Sequence, residues 1–168
     1  MKPSLIRFSV IALTTLFLAL PAGAEEKGDI TVNLTSQKVV KAADGKETLV
    51  GAETAKPGEI IQYKAVYQNA GKSKASDILA TIPVPLGTEY IPGSAAPAQV
   101  TASVDGKEYA PVPLKRKVKL SSGKEEVQAV PYEEYRFIRW DIKTLAPGKS
   151  TTVRMRVKVS TATVPSTK

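Results

Sequence analysis

The sequence predicts an all-β protein, an antiparallel β-sandwich. Three observations carry that expectation. Apolar and polar residues alternate at period two in several short runs, turn signals separate the runs, and no sustained 3.6-residue period follows the N-terminal segment. Twelve Pro and eleven Gly also argue against long helices. A barrel would satisfy the same pattern, but uneven strand and loop lengths favour the sandwich.

The first residues read differently. Lys2 and Arg7 give a positive start, Phe8 to Leu20 is an apolar run, and Ala22-Gly23-Ala24 is a small-x-small cleavage site after Pro21. This is the three-part pattern of a secretory signal peptide. The run falls short of the roughly 20 residues that a membrane span needs. The expectation is therefore a signal peptide over 1–24 and one domain over 25–168, with no transmembrane segment after cleavage. Without Lys2 and Arg7, 22 of the 24 basic residues remain against 16 acidic ones, a net charge of +6. The chain has no Cys, so packing and hydrogen bonds must do what disulfides do in many small exported domains.

The strands follow in order. Ile30, Val32 and Leu34 share one face of "ITVNLTSQKVV", with Thr31, Asn33 and Thr35 opposite. "EIIQYKAVYQN" sets Ile61, Tyr63, Ala65 and Tyr67 against Gln62, Lys64 and Gln68. "ASDILATIPV" is a shorter, mostly apolar strand. "YRFIRWDI" aligns Ile138, Trp140 and Ile142, and "TVRMRVKVS" alternates Val153, Met155, Val157 and Val159 with Arg154, Arg156 and Lys158. Such strands bury one face and wet the other. Asp44-Gly45 and Asp105-Gly106 suit tight hairpins. Pro57-Gly58 and Pro147-Gly148 suit turns in which Pro presets the first angle and Gly accepts a positive φ. Between two strands, Asn69 can bond its own nearby backbone, Gly71 can turn left-handed at little steric cost, and Ala75 is small enough to tuck beneath the crossing.

Two blocks carry a resemblance. "KPGEIIQYKAVYQNAGKSKASDILATIPVPLGTEYIPGSA" (Lys56 to Ala95) holds Pro-Gly, Tyr, Asn-x-Gly, a strand, a Pro-bearing turn and Tyr-x-x-Gly-Ser. "RWDIKTLAPGKSTTVRMRVKVS" (Arg139 to Ser160) holds a Trp, Leu-x-Pro-Gly and an alternating last strand. Together they resemble the conserved repeat domain of bacterial surface and exported proteins, the eleventh in the domain-of-unknown-function series. The resemblance implies an immunoglobulin-like β-sandwich in an envelope or surface protein and no catalytic residues. Thr81 stands before Ile82-Pro83 where that family often has an acidic residue. The stretch of about 97–131 is longer than the family's usual link and reads as an inserted hairpin pair.

Charge concentrates in that stretch. Lys115, Lys117 and Lys119 share one strand face, and Arg154, Arg156 and Lys158 form a second basic row. These six residues are the candidate surface for an anionic partner. The competing reading is a solvated, charged edge that blocks sheet-to-sheet aggregation. Nucleic acid is not expected, because export removes the usual context and stacking aromatics are not interleaved with the basic residues.

Catalysis is poorly supplied. With no His and no Cys, neither the usual neutral-pH base nor a Cys-His or Ser-His-Asp arrangement can be built. Glu125-Glu126 and Glu133-Glu134 are sequence neighbours, which on a strand point to opposite faces. The Asp-Gly pairs read as turns rather than calcium ligands, and Asn33-Leu34-Thr35 fits a glycosylation sequon that arises often by chance. Trp140, Tyr63 and Tyr67 read as core, and Tyr132 and Tyr135 as partly exposed. The expectation is no enzyme, no catalytic or metal site and no cofactor. The function expected is that of a non-catalytic envelope protein, a structural or protein-interaction module that touches another envelope protein. The alternative is a periplasmic assembly chaperone or a binder of anionic envelope polymer through its basic strand faces. The periplasm is the expected location, with secretion or the cell surface as alternatives.

Overall fold

The structure is a computed structural model and describes residues 29–161. The segment 1–24, read as a signal peptide, lies outside them. Eleven strands follow in chain order: β1 (Ile30–Lys41), β2 (Glu47–Gly51), β3 (Ile60–Asn69), β4 (Ala75–Pro83), β5 (Thr88–Tyr90), β6 (Thr101–Ser103), β7 (Ala110–Pro111), β8 (Lys115–Lys119), β9 (Glu125–Ala129), β10 (Phe137–Leu145) and β11 (Ser150–Val159). A single 3-10 turn, Tyr132–Glu134, precedes β10. The fold is all-β and sandwich-like.

One sheet has the order β2-β1-β3-β11-β5 and the other β4-β10-β6-β7, with β8 and β9 forming a separate ribbon. The pairings are antiparallel. Ala65 of β3 faces Val153 of β11, and Ile61 faces Val157, so both strands turn the same face inward. Against that face the second sheet sets Ala80, Ile82, Ile138 and Trp140, and these residues with Tyr90, Ala102, Met155 and others make one buried cluster. Trp140 lies opposite Ala80, a large side chain over a small one, and its Nε1 donates to the Pro97 carbonyl at 2.7 Å.

The turns follow the sequence. Gly45 has φ 81° and donates its N–H to the Ala42 carbonyl, closing the β1–β2 hairpin. The 56–59 and 146–149 turns close with i→i+3 bonds, and Gly58 and Gly148 both sit at positive φ. Asn69 does more than hold a turn. Its Nδ2 donates to the carbonyls of Ser73 and Leu145, both at 2.8 Å, and its Oδ1 accepts from the Gly71 N–H at 3.0 Å. Its backbone N–H donates to the Lys149 carbonyl, and its own carbonyl accepts from the Gly148 N–H. One fully buried amide thus joins the end of β3 to the β10–β11 turn, across the two sheets. Gly71 keeps out of the left-handed region that its sequence offered; its N–H donates to the Asn69 side-chain Oδ1.

Two expectations about apolar and aromatic residues fail. Tyr135 is fully buried rather than partly exposed. The 3-10 turn lays Tyr132 and Tyr135 against Tyr90, with Tyr90 and Tyr135 stacked at 6.0 Å, and the Tyr135 hydroxyl accepts the Leu114 N–H at 2.7 Å. Val32 and Leu34 lie on the inward face of β1, opposite Tyr67 and Ala65, yet they are 53% and 48% exposed. The second sheet covers β3, β11 and β5 and leaves this part of β1 bare.

Candidate anion-binding surface

Strand register decides what the basic rows can do. Arg154, Arg156 and Lys158 alternate with buried Val153, Met155 and Val157, so all three stand on the outer face of the five-stranded sheet. They are not equivalent. Arg156 donates through Nε to Gln62 Oε1 at 3.2 Å and pairs through Nη2 with Glu47 at 2.8 Å. The β1–β2 hairpin therefore returns a carboxylate to the middle of the row. Lys158 faces Glu89 across the β5–β11 pair. Arg154 faces a cation: its direct cross-strand partner is Lys64 of β3. Beside Arg154, residues 91–94 stand over Ile60 and Gln62 and close a groove of about 390 Å³ that Arg154 and Arg156 also line. Ser94 fixes this loop. Its hydroxyl donates to the Ile91 carbonyl and accepts the Arg156 N–H, so it is committed to the backbone.

The other row lies elsewhere. Lys115, Lys117 and Lys119 project from one face of β8, opposite Ala129, Val127 and Glu125. Lys117 approaches Glu125 at 3.9 Å, and both side chains are well exposed. An isolated two-stranded ribbon is marginal in water. This one is anchored at its base, where Leu114 and Val130 are buried and Arg116 pairs with Glu134 through both nitrogens at 2.5 and 3.0 Å. A second groove, of about 320 Å³, runs between this base and the 104–110 loop, and Lys115 and Arg116 share it with Asp105 and Glu134. No residue lines both grooves. The structure brings Arg154 and Arg156 together at one groove, stations Lys158 beyond it, and keeps the lysines of β8 at a separate place.

No protein-family model matches the chain, and no curated protein or solved structure does either.

Lys64 is the residue that sequence reasoning missed. Alternation puts it on the polar face of its strand, but which residue faces it depends on the β3–β11 register, which no local signal supplies. Among the described residues, no group of three or more His, Cys, Asp or Glu is placed to hold a metal, and no helix is long and apolar enough to cross a membrane.

Three surface carboxyls are held below their ordinary range. Glu47 is lowered chiefly by its hydrogen bond from Arg156. Glu59 is lowered first by the Lys56 N–H and then by Lys38. Asp105 is lowered first by the Lys107 N–H and then by the Ser103 hydroxyl, the Asp-Gly hairpin signal now seen as an acceptor for its own loop. A depressed folded-state pKa contributes stability that is present above the unfolded value and lost as pH falls through the folded one. The melting temperature is therefore expected to hold between pH 7 and about 5 and to drop below about pH 4. Glu47→Gln should melt lower at pH 7 and lose less on acidification. Thermal melts of both proteins across that range check this, and equal acid losses would refute the role given to Glu47.

Proposed function

We propose that the chain is a non-catalytic protein of the bacterial envelope, an immunoglobulin-like sandwich exported behind residues 1–24, whose work is contact with another envelope component. The resemblance of 56–95 and 139–160 to the exported repeat domain supports that address, with the periplasm first and the cell surface or the medium as alternatives. Ser94, Ser103, Asp105 and Asn69 bond backbone groups around them, so these side chains serve the fold.

One observation carries a more specific reading, a binder of anionic envelope polymer. Arg154, exposed and lining a groove, stands directly opposite the half-buried Lys64 on the outer face of the sheet. Like charges so placed destabilise a sheet by roughly 0.2–1 kcal/mol. The fold gains nothing from the pair, whereas a carboxylate or phosphate lying between the two cations would turn repulsion into attraction. The same face suits an assembly chaperone that holds an acidic partner.

Lys64→Glu is expected to stabilise the protein by about 0.5 kcal/mol, because Arg154 gains an opposite charge across the strands. It should also weaken binding to soluble polyphosphate several-fold. Urea unfolding and a binding titration at low salt read the two effects, and wild-type binding should fall steeply as salt rises from about 50 to about 200 mM. Reversing Lys115, Lys117 and Lys119 should leave this binding nearly unchanged. Polyphosphate affinity unaffected by Lys64→Glu would end the polymer reading and leave the protein-contact reading standing.

A further inference from the structure

The N-terminal half of β1 is an unfinished sheet edge. β3 occupies one side of β1 from Ile30 to Val39, but β2 occupies the other only from Gln37 to Lys41. Among the described residues, none pairs with 30–36 on that side, and Thr31 through Ser36 are all exposed. Free edges invite pairing, and proteins blunt them with charge, Pro, kinks or side-chain caps.

The rest of this fold follows that rule. On β4, Asp77 is kinked at φ 52°, Pro83 has no N–H to offer, and the Thr81 N–H is already taken by the Tyr67 hydroxyl at 3.1 Å. β2 carries Glu47 and ends in Gly51, β5 holds Glu89 within three residues, and β8 and β9 are rich in Lys and Glu. Among the described residues, "ITVNLTS" is the one free-edge stretch of six or more residues with no charge, no Pro and no Gly; the five-residue "ILATI" run of β4 has its Thr81 N–H taken by the Tyr67 hydroxyl. It also holds Val32 and Leu34, inward-facing apolar side chains that the second sheet leaves uncovered.

The geometry points to a second copy of this chain as the occupant, paired antiparallel through β1 about a two-fold axis at Val32. In that register Ile30 meets the partner's Leu34, Val32 meets the partner's Val32, and Thr31 meets the partner's Asn33. Because directly opposed residues of an antiparallel pair share a face, within residues 30–34 the inward contacts are apolar and the outward ones are neutral hydrogen-bonding pairs. Two-fold interfaces require such self-complementarity. Gly51, opposite Gln37, stays clear of the paired residues. The two five-stranded sheets would run on as one, and the bare apolar strips would lie side by side. This surface is distinct from the groove at Arg154 and stands whether or not the polymer reading does.

The test uses the full-length gene product as its host processes and yields it. In sedimentation experiments the mass should rise with concentration toward twice that of the protomer, and Val32→Lys, which sets two like charges across the axis, should remain a monomer. Val32 is already half exposed, so this variant should keep its fold; a β-type circular dichroism spectrum checks that. The chain has no Cys, so Val32→Cys permits a second readout. On oxidation it should give a covalent dimer in far higher yield than Val50→Cys, placed on exposed β2 away from the axis. A wild-type protein that stays monomeric at every concentration, whether its edge is bare or filled by another strand, would overturn the proposal. So would a Val32→Lys dimer as stable as wild type, or equal crosslinking at positions 32 and 50.

Discussion

Replacing Asn69 with Ala is expected to destabilise the protein by about 3 kcal/mol. The magnitude comes from what the substitution leaves behind. Asn69 is fully buried, and its side chain donates to two carbonyls and accepts one N–H. Leaving a buried polar group unpaired costs about 1–3 kcal/mol, well above the net gain from an average hydrogen bond. The effect should also reach beyond the β3–β4 turn, because the Leu145 carbonyl ends β10 in the other sheet. Asn69→Asp should be worse than Asn69→Ala: it removes both donors and aims a carboxylate at two carbonyl oxygens. Urea midpoints for the three proteins check the order wild type, Ala, Asp. A midpoint for Asn69→Ala within error of wild type would mean that the amide does not tie the sheets together.

Trp140→Ala should cost about 3–5 kcal/mol, in the range of large aromatic truncations in cores. Trp140 is 2% exposed, and its neighbour across the strands, Ala80, is too small to fill the vacated space. Trp140→Phe separates two contributions. It keeps most of the apolar bulk but removes the Nε1 donor to the Pro97 carbonyl, and a loss of about 1–2 kcal/mol is expected. As the only Trp in the sequence, this residue also reports on wild-type unfolding by its fluorescence. Circular dichroism must follow the two variants instead.

These two residues show how unevenly the fold could be read. Trp140 is legible because its strand alternates cleanly: Ile138, Trp140 and Ile142 share a face against Arg139 and Asp141. Asn69 is only half legible. An Asn before Gly announces a turn, and the turn is there, but the bond to Leu145 spans 76 residues and has no local trace. Tyr135 was misread for a similar reason. It follows two glutamates and looks wet, yet a single 3-10 turn folds it under Tyr90. The candidate site divides in the same way. Alternation places Arg154, Arg156 and Lys158 on one outer face, but Glu47 and Lys64, which make one of those arginines paired and another crowded, come from elsewhere in the chain.

By itself, then, the sequence determined the class of the fold, the faces of its strands, the places where it turns and the absence of His and Cys. Those properties are local: a period of two needs only neighbours, and an Asp-Gly or Pro-Gly pair bends the backbone wherever it occurs. Register, coverage and edges were decided by the tertiary structure, because each depends on which strand lies alongside and how far the opposite sheet extends. Val32 makes the distinction plain. Its alternation with Thr31 and Asn33 turns it inward, but an inward residue is buried only where a second layer reaches it, and here that layer stops one strand short.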